Sequence, residues 1–263
     1  MAEASLTLAG VARAGGRLGA VAWIRLATLL ALLGGYEAVS ASGLVFQGAM
    51  PGLPSIAGAL VRILADPGFY PNLLRTVQEA AGGVLIGGSL GVACGLAFGM
   101  SRLLAAVLDP WVRCLAPAPK IVFLPILMLM FGIDAGPKTA MAALSAFFPV
   151  VVATYGGMRQ VRPILLRVTR SYNATVLQTV RTVYLPSTLI PVLGSLRLAV
   201  GVALIGALLA EVKMSNRGLG FLIIQEYNAF RTPTMYALLI IVFVLAMLAN
   251  MGVRTVARRF GVR

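Results

Sequence analysis

The chain has 263 residues, of which 59% are hydrophobic and only 11% charged. Soluble domains run at roughly 45–50% apolar and about 25% charged, so a water-soluble globular protein is all but excluded. Lys and Arg number 22 against 8 Asp and Glu, a formal net charge of +14, which marks either a nucleic-acid footprint or an orientation in a bilayer. There is no His, which removes the commonest metal ligand and the commonest general base. No stretch reads GxxxxGK followed by Ser or Thr, so the chain carries no Walker-type phosphate loop. Cys94 and Cys114 lie far apart in apolar surroundings and read as small buried hydrophobes.

In chain order, six stretches supply the ~20 apolar residues that a membrane span needs: 22–44, 77–100, 104–131, 138–158, 189–211 and 235–253. The third is interrupted by Pro110, Pro117, Pro119 and Pro125, which narrows its expected span to 117–132. Placing the N-terminus inside puts 16 of the 22 bases and two of the 8 acids on the inner side. Six bases and six acids are left outside. The whole surplus then falls on one face, as the positive-inside rule requires, and Lys120 and Arg197 count among the inside bases. The middles of the spans hold no full charges on this reading. The acids Glu37, Glu79 and Glu211 sit near outer ends, and no intramembrane acid pair is expected.

The connections are also patterned. Residues 45–75 form an external segment, in which Ser55 after Pro54 reads as the cap of an amphipathic helix ending near Asp66-Pro67. A second external segment, 212–234, contains Asn216-Arg217-Gly218-Leu219-Gly220, a turn before a short apolar run. In the second span Gly83, Gly87, Gly91, Gly95 and Gly99 recur every four residues and mark a stripe for close helix packing. Residues 159–188 hold five arginines and no acid. Their apolar residues recur at helical spacing at Ile164, Leu165 and Val168, then at Val176, Leu177 and Val180. Two short helices with a break at Tyr172-Asn173 are expected.

This loop also carries a spacing. Ten residues after Asn173 stands Val183, followed by Leu185 and Pro186. The pattern resembles the signature of permease subunits of bacterial ABC importers: Glu-Ala-Ala, three residues, Gly, nine residues, Ile-x-Leu-Pro. Here the first positions are Arg167, Val168 and Thr169, and Asn173 replaces the Gly. Asn tolerates a left-handed backbone better than other non-glycine residues. Pro119-Lys120-Ile121, Leu124-Pro125-Ile126, Phe131-Gly132-Ile133, Phe147-Phe148-Pro149, Ala210-Glu211 and Gly218-Leu219-Gly220 are similar to the nitrate/sulfonate/taurine-type group of these permeases, over about residues 54–260.

The resemblance implies an all-α polytopic membrane protein of six transmembrane helices with the type I ABC importer architecture. The single transmembrane domain, 1–263, would sit in the bacterial inner membrane with both termini cytoplasmic. It implies a coupling role for Arg167, Arg170, Asn173, Ala174, Thr175 and Pro186. The implied partners are a second permease copy forming a homodimer, two cytoplasmic ATPase subunits and an external substrate-binding protein, with no nucleic acid. No cofactor is expected in this chain, ATP and Mg being held by the ATPase, and no catalytic residue is expected. For the solute path the Pro- and aromatic-rich third and fourth spans offer Phe123, Met128 and Phe147. The expected solute is a small organic or inorganic anion such as a sulfonate, nitrate or aromatic acid. An importer of a vitamin precursor or heterocycle, and an ion-coupled secondary transporter, stand as alternatives.

Overall fold

The computed structural model describes residues 2–43 and 48–259, with side chains described from residue 21 onward except at position 256. The expectations that rest on Arg13, Arg17, Arg263 and positions 45–47 lie outside these described parts. The chain is helical: α1 (Ala2–Ala41), α2 (Leu53–Ala65), α3 (Phe69–Met100), α4 (Arg102–Leu115), a 3-10 turn (Lys120–Phe123) leading into α5 (Leu124–Phe131), and α6 (Ala135–Arg159). The chain continues through α7 (Pro163–Ser171), α8 (Val176–Thr179), a π turn (Val180–Tyr184), α9 (Leu185–Lys213), α10 (Leu219–Asn228) and α11 (Thr232–Arg259). Among the described residues five helices are long and apolar enough to cross a membrane, or six when one bent pair counts as a span.

The centre of the bundle is α3, α6 and α9, held by small residues. Ala142, Ala146, Val150, Ala199, Ala203 and Ala207 form a buried cluster, and side chains this short let the helix axes approach closely. The glycine stripe of α3 packs on α6 within the one chain. A Cβ added at Gly91 would stand 2.9 Å from the Phe147 carbonyl oxygen, and one at Gly95 would stand 2.5 Å from Thr154 Cβ. Gly206 of α9 meets α6 in the same way, 2.9 Å from the Met141 oxygen. Apolar side chains have little reason to leave lipid for one another, so this close fit is what associates the three helices.

The third span departs from the expectation of 117–132. The helix over Arg102–Leu115 and the segment Lys120–Phe131 meet at 99°. Pro117 and Pro119 between them cannot continue a hydrogen-bond ladder. The twelve residues of Lys120–Phe131 would reach only ~18 Å as a helix, too short for a ~30 Å hydrocarbon core. The two helices form a broken or re-entrant pair in place of one straight span. Two smaller expectations are also corrected. Gly52, not Ser55, is the N-cap of α2, and the Ser55 hydroxyl donates back to the Gly52 carbonyl at 2.7 Å. Cys114 is exposed, while Cys94 packs beside Phe98 and Phe148.

The first span is held differently from the rest. The described side chains of Val21–Ala41 are exposed except for half-buried Tyr36, Glu37 and Ser40, and its candidate span window is 0% buried. It is tied on at its C-terminal end: Tyr36 donates to the Pro51 carbonyl at 2.9 Å, Ser40 to the Met50 carbonyl at 2.8 Å, and Glu37 accepts from Leu53 N at 2.8 Å. Tyr36 also packs on the cluster that α2 forms with Ala237 of α11.

Candidate functional site

Three features stand out: the loop between α6 and α9 at one end of the bundle, a polar knot at the other, and a groove on the flank between them.

The loop folds from its own sequence. Pro163 starts α7, where a missing N–H costs nothing. The helix closes with Asn173 at φ +50°, the left-handed conformation that the sequence calls for. Asn173 N donates to the Arg170 carbonyl and Ala174 N to the Thr169 carbonyl, both at 3.0 Å, the paired bonds of a Schellman closure. Thr175 then caps α8 in a reciprocal box: its Oγ1 accepts from Gln178 N at 3.3 Å, and Gln178 Oε1 accepts from Thr175 N at 2.7 Å. Pro186 lies in the first turn of α9, directly after the π turn. The sequence-predicted loop residues Arg167, Arg170, Asn173, Ala174 and Thr175 thus lie on one compact turn, with Pro186 beyond it where α9 begins. Outward from the turn point Tyr172, 83% exposed, Val176, 73% exposed, and Ile164, Val168 and Leu177, about half exposed or more. Arg162, Arg167, Arg170 and Arg181 are exposed among them. Among the described residues no acid pairs with any arginine of this loop.

At the opposite end α3, α6, α9 and α10 meet around two carboxyl groups. Glu211 of α9 is fully buried; its Oε1 accepts from Thr76 Oγ1 at 2.6 Å and its Oε2 from Gly220 N at 2.7 Å. Thr76 Oγ1 in turn accepts from Leu219 N at 2.8 Å, and Asn72 Oδ1 accepts from Gly218 N at 2.9 Å. The orphan N–H groups at the start of α10 are therefore satisfied by side chains of α3 and α9. Gly218 is required at this point: its φ is +107°, and an added Cβ would run into the Glu211 carboxyl group. Glu79, also buried, interacts electrostatically with Glu211. It accepts from Arg75 Nε at 3.0 Å and lies 3.9 Å from Lys138 Nζ of α6, and Arg75 pairs onward with Asp134. Glu211 stands in the last turn of α9 and Glu79 in the third turn of α3, toward the helix ends where the sequence reading places them. Separated by 132 positions in sequence, the two carboxyls become neighbours only through helix packing.

The groove runs along α6 and α9 beside the start of α5 and encloses about 750 Å³. Its lining is apolar, with exposed Val152, Leu198 and Ile205 along an open side. Lys120 Nζ lies in it, 5.4 Å from the centre of the Phe148 ring, and donates to the Ala116 carbonyl. Phe148 is close to the midpoint of the 25-residue α6. Lys120 is thus a mid-depth cation rather than one of the inside bases. On the other flank of the ridge made by Gly194, Leu198 and Val202, Arg197 Nε donates to Asn250 Oδ1 at 3.2 Å. Antiparallel packing sets Pro191 of α9 beside Gly157 of α6, and Gly206 beside Ser145. Arg197 therefore also lies well inside the span. The expectation of charge-free span centres fails at both residues, because the bend after Ala116 and the packing of α9 set their depth.

None of the three path residues drawn from sequence lines this groove. Met128 packs against Leu124, Met141 and Ala210. Phe147 turns into the cluster of Phe98 and Val112. Phe123 closes the 3-10 turn and is half-buried. Phe148, one residue on from Phe147, is a buried member of that same cluster and also lines the groove. The signal available in sequence was Lys120 itself, a cation inside an otherwise apolar Pro-rich span.

Residues 84–262 match the family described as binding-protein-dependent transport system inner membrane component. The chain belongs to this family. It is 30% identical over 224 residues to the putative aliphatic sulfonates transport permease protein SsuC of Bacillus subtilis (strain 168), covering 85% of this chain and 81% of that one. It is 26% identical over 241 residues to the taurine transport system permease protein TauC of Escherichia coli (strain K12), covering 90% and 88%. Among solved structures it resembles a chain of the inward-facing MetNI methionine ABC transporter, with a TM-score of 0.59 at 18% identity, covering 80% of this chain and 99% of that one. It also resembles an amino acid ABC transporter solved with histidines, with a TM-score of 0.60 at 20% identity, covering 76% and 97%. The chain is a multi-pass ABC importer permease with the type I transmembrane fold. Its relatives in the sulfonate and taurine group are transport permeases.

Proposed function

We propose that this permease works as a homodimer bound to two cytoplasmic ATPase subunits and imports a small organic anion, of which a sulfonate is the leading case, handed to it by an external binding protein. The loop end of the bundle is cytoplasmic on this reading, with both termini on the same side. The observation that carries it is the turn from α7 to α8: a rigid closure presenting apolar side chains and unpaired arginines together. Exposed apolar residues cost free energy in water unless a partner covers them. An apolar groove with an acidic rim is the complementary surface. ATP binding closes the ATPases and moves the docked turn. Because the turn is continuous with α9, and α9 packs on α6 and α3, that displacement is transmitted along the bundle and opens the outer mouth. Hydrolysis in the partner resets it. The anionic solute class is supported by the relatives that handle aliphatic sulfonates and taurine.

Replacing Arg170 to Thr175 with a Gly/Ser linker tests the coupling reading. Solute-stimulated ATP hydrolysis by the reconstituted complex is expected to vanish while membrane insertion of the permease is retained. Stimulation at the original level would overturn it.

A further inference from the structure

Lys120 is not accounted for by topology or by packing. It stands at the depth of the α6 midpoint, where an ionisable side chain is expensive and calls for a partner. Among the described residues no Asp or Glu pairs with it. Its protein contacts are the Ala116 carbonyl and the face of Phe148. Neither is a counter-charge, and the carbonyl occupies one of three donor N–H groups. The contrast with Lys138 is direct: that lysine, at the outer start of the same helix, is buried against Glu79. Around Lys120 lies an apolar groove of about 750 Å³, within the range of small-molecule sites, where a few polar groups in an apolar lining set specificity.

We infer that Lys120 and the face of Phe148 form an intramembrane subsite for the anionic head of the transported solute, the apolar lining of α6 and α9 receiving its organic part. This deepens the functional reading above and rests on it for the word transported. The lysine supplies charge complementarity without a fixed carboxylate to displace. Its one-point attachment and single carbonyl contact keep the hold weak enough for release, which a path through a membrane requires. Mid-depth placement favours a solute over a lipid phosphate, whose headgroup lies at the membrane surface.

The chain has three lysines, Lys120, Lys138 and Lys213, so acylation can be followed residue by residue in the full chain. In phosphatidylcholine nanodiscs, benzenesulfonate is expected to slow acylation of Lys120 about fivefold or more at saturation. The neutral isostere benzenesulfonamide should have little effect, and exposed Lys213 should react unchanged in both cases. Direct binding of radiolabelled benzenesulfonate should weaken about tenfold in Lys120→Gln and persist in Lys120→Arg. Equal protection by the sulfonamide overturns the inference. So does protection that requires anionic lipid, or a Lys120 already shielded without ligand, as it would be if a second copy filled the groove. Because no ATPase is present, failure here leaves the coupling reading standing, and failure of the linker test leaves the subsite standing.

Discussion

At one end of the bundle Glu79, Lys138 and Glu211 are at least 97% buried and engaged with Thr76, Arg75 and the first backbone amides of α10. At the other end the arginines from Arg162 to Arg181 stand exposed, with no acid among the described residues paired to them, between apolar side chains that also face outward. Both ends are rich in charge, yet one uses it within the chain and the other leaves it unmatched. Removing a charge from a closed network strands its partners, whereas removing one from an open surface strands nothing in the isolated protein. The closed end therefore fixes where α10 and its loop sit on α3 and α9. The open end keeps its interaction energy for another molecule.

The largest expected effect comes from opening the closed end. Glu211→Ala leaves the Gly220 amide without its acceptor and the Thr76 hydroxyl with only the longer bond to the Asn72 carbonyl, at 3.3 Å. At about 1–3 kcal/mol for the stranded amide and about 1 kcal/mol for the weakened hydroxyl bond, the loss is about 2–4 kcal/mol. The purified permease should show a clear drop in melting temperature by fluorescence-detected thermal aggregation; an unchanged temperature would mean that the knot does not hold α10. Next comes the packing between the two ends. Gly95→Leu drives a side chain into Thr154 of α6 and should cost about 1–3 kcal/mol or more, read in the same assay. The smallest effect on folding belongs to the open end. Asn173→Val puts a β-branched residue at φ +50° and strains the turn by about 1–2 kcal/mol, whereas Asn173→Gly relieves it. Melting should shift little for either. Solute-stimulated ATP hydrolysis should fall severalfold for Val and be retained for Gly. Equal loss in both variants would show that the Asn side chain, rather than the turn, is what matters.

Much of the loop was legible in the sequence because its signals are local. Helical spacing over Ile164–Val168 and an Asn where a left-handed residue is needed each act within four residues, so no distant contact overrides them; the Thr175–Gln178 cap is equally local but was seen only in the structure. The glycine stripe was legible for a related reason: a period of four fixes which helix face is thin, although not which neighbour fills it. The bend after Ala116 was half legible. Prolines announced an interruption, but the 99° turn depends on how α4 and α5 pack. The buried Glu79–Glu211 pair and the mid-depth Lys120 were not legible as sites. Each depends on residues brought together from different helices, and hydropathy averaged along one span does not register them.

The sequence by itself determined that this chain lives in a bilayer, how many times it approaches a crossing, and which loop carries the family's signature. Those properties follow from composition, length and short-range periodicity, to which each residue contributes independently of the fold. The tertiary structure decided which charges are matched. It closed Glu211 onto Thr76 and Gly220, left the loop arginines open, and set Lys120 beside Phe148 at mid-depth. Electrostatic interaction depends on distance and local dielectric rather than on sequence position, so only packing could separate the +14 of charge into groups that hold the fold and groups left free to bind.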